Sequence, residues 1–205
     1  ALKGDLAVAR WLRASVSGLV LRALTTGALL LPLPLPSLGD VGAVSGTRKS
    51  SELFFSFTSF VEPGATYRLR DAGDPSNPDP ELFRATALSV SHDPSDYVTE
   101  RLFAKSKDGT LVPLFVTRHK SVPLDGANPC LLYGYGGFCI SLSATFSPSR
   151  LAWMRGFRGV FAQANLRGGG EYGTPSRAAA TAACSSPRAS TSAPTCSGRA
   201  SRRWA

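Results

Sequence analysis

With 205 residues, 43% of them hydrophobic, the chain is long enough for one large domain or two small ones and apolar enough for a packed core. Its formal net charge of +9 does not mark a nucleic-acid binder: residues 176–205 hold five arginines (Arg177, Arg188, Arg199, Arg202, Arg203) and no acid, and the rest of the excess is spread without a run or an aromatic-lined patch. The apolar stretch from Gly18 to Pro36 is not a membrane span, because Arg22 interrupts it and Pro32, Pro34 and Pro36 punctuate it.

In chain order, residues 5–75 read as short strands separated by turns. Asp5–Leu12 and Gly18–Leu24 are apolar enough for strands, Thr25-Thr26-Gly27 makes a turn, and Val41–Ser45 is another short apolar run. Residues 51–60 alternate in part and are rich in aromatics and Ser/Thr; Pro63-Gly64 then turns the chain into a strand at Ala65–Arg70. About four strands in 40–50 residues is the size of one propeller blade, and no second copy is visible. Asp71–Pro80 is a polar, Pro-rich loop. A hairpin follows, Tyr97–Lys105 and Thr110–Arg118 about the tight-turn pair Asp108-Gly109. Leu131–Tyr133 is a short strand entering one glycine-rich segment, residues 149–155 form a candidate helix, and Gly156–Asn165 is a strand entering a second. Strands that each lead into a glycine-rich loop suit the edge of an α/β sheet whose loops build a site.

Beyond Pro175 the material changes. Residues 176–205 contain nine Ala and seven Ser but no Leu, Ile, Val or Phe, so they cannot form a core and read as disordered, or as text translated out of frame. The chain begins at Ala1, so the natural N-terminus and any targeting segment are expected upstream. Cys130, Cys139, Cys184 and Cys196 form no C-x-x-C pair and no ligand spacing with His92 or His119, which fits reduced cytosolic thiols and implies no metal.

The two glycine segments carry the chemistry. Gly168-x-Gly170-x-x-Gly173 formally matches a dinucleotide motif, but Pro175 and a polar tail follow where a helix is required, and no acid occurs after Glu171. In Leu132-Tyr133-Gly134-Tyr135-Gly136-Gly137-Phe138, glycines on both sides let the backbone turn sharply and leave Tyr135 free to project. Its phenol is either a buried turn hydroxyl that is simply satisfied or a donor to a developing oxyanion. Arg167 and Glu171 of the second segment could form a structural ion pair, and His92 and His119 read as surface residues.

Taken together, Leu132–Phe138 and Asn165-Leu166-Arg167-Gly168-Gly169-Gly170-Glu171-Tyr172-Gly173 resemble the prolyl oligopeptidase family of serine peptidases. Residues 24–29, 52–64 and 106–115 extend the likeness, which spans about residues 10–175. The resemblance implies a mainly β chain with some α/β: the last blade or blades of a β-propeller over residues 1–85, the first strands of an α/β-hydrolase domain over 86–175, and the disordered tail 176–205. It implies that Tyr135 is the side-chain oxyanion donor and that Phe138 lines the pocket for the substrate proline. It implies no cofactor, short proline-containing peptides as partners of the intact enzyme, no nucleic acid or membrane, a monomer, and a cytoplasmic setting.

The departures from the family pattern are in the catalytic residues. No Gly-x-Ser-x-Gly nucleophile elbow occurs; Gly42-Ala43-Val44-Ser45-Gly46 is near in composition but misplaced. The nucleophile, acid and histidine would all lie beyond Gly173, so the chain is expected to be a truncated and inactive part of such an enzyme. The alternative is a non-catalytic interaction module or pseudoenzyme with a basic tail.

Overall fold

The computed structural model describes residues 2–13, 15–72 and 79–171. The tail, Tyr172 and Gly173, Cys184 and Cys196, and most of the loop expected at 71–80 lie outside the described residues. The chain divides into two compact units, residues 1–92 with 143–146 and residues 93–142 with 147–205.

The first unit consists of two antiparallel sheets. β1 (Leu6–Arg13), β2 (Val16–Ala23) and β3 (Leu29–Leu33) form one; β4 (Gly39–Gly46), β5 (Leu53–Ser59), β6 (Ala65–Leu69) and β7 (Glu81–Ala85) form the other, a meander in which each strand pairs with the next. The meander has the four strands of one propeller blade, with β7 not among the expected strands; in the three-stranded sheet β1 and β2 were expected and β3 was not. β3 escaped notice because Pro32 sits inside it. Proline cannot donate to a ladder, but β3 lies at the edge and pairs only with β2, so the missing N–H costs no ladder bond.

Strict alternation in β5 explains the packing. Leu53, Phe55, Phe57 and Ser59 are buried while Phe54, Ser56 and Thr58 are half-exposed, as a two-residue period requires. The buried face meets Leu19, Leu21 and Leu33 of the neighbouring sheet in one core with Val41 and Leu69. Each buried phenylalanine contributes roughly 1.5–3 kcal/mol of hydrophobic stabilisation. Asp40 on β4 ties the sheets by accepting from the buried Ser17 hydroxyl and from Arg10 at 3.3 Å. β7, fully exposed along its length, closes the meander. Residues 86–92 stay with this unit, because Thr86 N–H donates to Gly64 O at 2.9 Å and the His92 ring bonds Val61 O at 2.6 Å.

The second unit is a four-stranded sheet in the order β10-β11-β9-β8. The hairpin of β8 (Tyr97–Lys105) and β9 (Leu111–His119) is antiparallel and turns at Gly109, whose φ of 88° requires glycine. β10 (Cys130–Tyr135) and β11 (Val160–Asn165) run parallel, joined by a crossover that contains α1 (Pro148–Gly156). β11 lies between β10 and β9, so the sheet is mixed. α1 places Leu151 and Met154 in the core, and Trp153 donates to Val160 O at 3.3 Å across Gly159, where a Cβ would collide with the indole. The observed architecture is therefore mainly β with one α/β-type element. His119 bonds Ser121 Oγ at 2.8 Å and packs edge-on against Tyr97; both histidines are half-buried and structurally engaged.

Candidate functional site

β10 and β11 end in register, with Tyr135 opposite Asn165. The two glycine segments therefore leave the sheet side by side at the carboxyl ends of two parallel strands, where α/β sheets place their sites. Leu166 N–H donates to Tyr135 O at 3.3 Å, and Cys139 N–H donates to Gly168 O at 3.0 Å. The glycines make this approach possible. A Cβ on Gly136 would lie 2.5 Å from Arg167 O, and one on Gly170 would lie 2.6 Å from Cys139 O. Backbone stands on both sides, so neither contact could be relieved by turning a side chain.

Tyr135 closes β10, and its ring folds over Gly137: a Cβ there would lie 2.9 Å from the phenolic oxygen. Among the described residues the Tyr135 hydroxyl has no hydrogen-bond partner, and the side chain is half-buried. Phe138 and Cys139 follow at φ of 53° and 56°, two consecutive non-glycine residues in the left-handed region. Phe138 is 92% exposed, so its ring faces solvent instead of a wall formed by the described residues.

The second segment differs from the ion pair considered for it. Arg167 pairs with Asp108 in the β8–β9 turn and reaches Ser106 Oγ at 3.4 Å. The Thr110 backbone N–H and then Arg167 hold the Asp108 carboxyl down to about 2. Glu171 turns inward and is 4% exposed. Its Oε1 accepts from Leu142 N–H at 2.9 Å and from the Asn165 side-chain amide at 3.0 Å, and that amide also donates to Leu142 O at 2.8 Å. The sequence offered Glu171 as a possible ion-pair partner of Arg167 and Asn165 only as the start of the motif; that the two bond each other was not foreseen. The glycine triplet itself was the available signal, because consecutive glycines imply close backbone approach.

No group of three or more His, Cys, Asp or Glu side chains with metal-binding placement occurs among the described residues. A cleft of about 580 Å³ in the first unit, lined among others by Ser56, Thr66, Arg84 and Thr86, contains no residue of the glycine segments.

Comparison with known proteins agrees with this architecture. Residues 1–80 match the family described as prolyl oligopeptidase, N-terminal β-propeller domain. The chain is 41% identical over 164 residues to prolyl oligopeptidase ophP of Omphalotus olearius, covering 80% of this chain and 21% of that protein. It is 38% identical over 149 residues to a prolyl endopeptidase of Elizabethkingia miricola, covering 72% and 20%. The structure of apo prolyl oligopeptidase B from Galerina marginata superposes with a TM-score of 0.75 at 29% identity, covering 84% of this chain and 24% of that one. The first unit is thus propeller material, and the chain belongs to the prolyl oligopeptidase family. It spans about a fifth of the length of the curated relatives it matches.

Proposed function

We propose that this chain is part of a serine-type endopeptidase that cleaves short peptides after proline. The observation that carries the reading is the Tyr135 phenol, held at the carboxyl end of β10 with no hydrogen-bond partner among the described residues. In acyl transfer the carbonyl oxygen gains charge as the nucleophile adds, and a preorganised donor outside water stabilises that charge selectively in the transition state. Tyr135 supplies such a donor without reorganising, because its ring is already seated on Gly137. In this reading the second unit is the start of an α/β-hydrolase sheet, and Phe138 gives the substrate proline an apolar wall once further residues close around it. The propeller unit restricts access to short peptides.

The serine, its histidine and the acid are not among these 205 residues in this reading, so the chain alone has no route to covalent acyl transfer. It acts only within a longer hydrolase, as a monomer. The exposed Cys139 thiol fits a reduced, cytoplasmic setting.

Two measurements test the proposal. The 205-residue chain should neither hydrolyse a chromogenic Gly-Pro amide nor take up a fluorophosphonate label; a labelled chain refutes the assignment of the nucleophile elsewhere. In a full-length enzyme carrying this segment, Tyr135→Phe should lower kcat about 10²–10³-fold with KM little changed. An unchanged kcat removes Tyr135 from the chemistry.

A further inference from the structure

We infer that Glu171 is the positioning residue for Tyr135, acting through the loop that joins β10 to α1. The loop leaves the sheet at Tyr135 and passes through the left-handed pair Phe138 and Cys139, a strained conformation that persists only where the surroundings impose it. Three attachments impose it. The first is Leu166 N–H on Tyr135 O, and the second is Gly168 O receiving Cys139 N–H. The third is the Glu171 carboxylate, which receives Leu142 N–H and is held in place by Asn165.

The first two attachments are single backbone bonds between the two glycine-rich segments, the second of which is also anchored by Arg167 on Asp108. The third differs in kind. It joins a buried charge, a side-chain amide rooted at the end of β11, and the far end of the loop. Hydrogen bonds to a charged acceptor are worth about twice those between neutral groups. Asn165 lies directly opposite Tyr135 in the ladder, so the strand pair that places the phenol also places the residue that orients Glu171. With the loop fixed at Leu142, Gly137 remains under the Tyr135 ring; released there, the strained pair relaxes and the ring loses its seat.

The meaning of this role rests on the reading of Tyr135 as an oxyanion donor, but its test does not measure catalysis. The full 205-residue chain is labelled with 13C and 15N, and the contact between the Tyr135 ring protons and the Gly137 Hα protons is followed by nuclear Overhauser spectroscopy. Tyr97 against His119, in the same unit, reports whether the sheet is folded. Glu171→Ala should abolish the Tyr135–Gly137 cross-peak and keep the Tyr97–His119 one. Glu171→Gln, which retains an oxygen for Leu142 N–H and the Asn165 amide, should restore at least half its intensity. Leu151→Ala, a core truncation under α1, should lower the melting temperature and keep the cross-peak.

Survival of the Tyr135–Gly137 contact in Glu171→Ala, or its equal loss in Leu151→Ala, overturns the inference. Should the alanine variant not fold, Asn165→Asp decides, because it sets a second carboxylate against Glu171. Loss of the cross-peak with Tyr97 intact supports the inference, and retention overturns it. An unchanged kcat in Tyr135→Phe would remove the catalytic meaning and leave this positioning result standing.

Discussion

Gly136→Ala is the sharpest perturbation the two-segment junction allows. The added Cβ would lie 2.5 Å from Arg167 O, 2.8 Å from Leu166 Cβ and 2.9 Å from Leu166 O. Two of those three atoms are main-chain, so the neighbouring segment must move by about half an ångström or more, and it is anchored by Arg167 on Asp108. Overpacking of this kind costs typically 1–3 kcal/mol. Against it stands the gain from a stiffer unfolded chain, about 0.4–1 kcal/mol for Gly→Ala where the dihedrals permit. The net expectation is a loss of roughly 1–2 kcal/mol, or a drop in melting temperature of about 2–8 °C for a chain of this size. Gly134→Ala is the control: its Cβ would meet nothing nearer than Leu166 Cδ1 at 3.3 Å and Ala164 O at 3.4 Å, and a leucine methyl can swing aside. Thermal unfolding followed by circular dichroism compares the two. If Gly136→Ala melts at or above the temperature of Gly134→Ala, the close approach of the segments is not a constraint and the account of the site fails.

Two further predictions concern pH. Because the Asp108 carboxyl is held down to about 2 by the Thr110 N–H and Arg167, its contribution to stability is fully present above about pH 4 and is lost as pH falls through about 2. Urea midpoints of the wild type and Asp108→Asn should therefore differ at pH 5 and converge toward pH 2; a constant gap contradicts the pairing. The Tyr67 phenol is pushed up to about 12 by burial first and then by the charge of Glu62, to which it donates at 3.0 Å. The associated stability is present below about pH 10 and is lost as pH rises toward 12. Absorbance titration should show Tyr67 ionising late, and Glu62→Gln should bring it earlier.

How much of this was legible beforehand varied with the kind of signal. β5 announced itself, because alternation is enforced by a face buried against a second sheet. The β8–β9 hairpin did too, since Asp108-Gly109 meets the conformational demand of the turn locally. β3 and β7 did not. One contains a proline that only an edge position tolerates, and the other is exposed along its whole length and so shows no period. Tyr135 was singled out from its glycines and from family likeness, but whether its hydroxyl meets a partner is a fact of three-dimensional surroundings. Glu171 was named only as a partner for Arg167; its burial was not legible, because that depends on which amides reach the carboxylate, and here they come from positions 142 and 165.

The sheet order carries a consequence for assembly. β10 is synthesised before β11, yet β9 and β10 are not neighbours, and only β11 joins them. Until the segment from Val160 onward has emerged, β10 has nowhere to dock in the sheet, and Tyr135 has no fixed position. Glu171 follows Tyr135 by 36 residues (171 − 135). At about 5–20 residues per second of translation, the tyrosine waits roughly 2–7 s for its last support. A nascent chain paused in that interval presents β10 with the backbone N–H and C=O groups of its ladder unpaired.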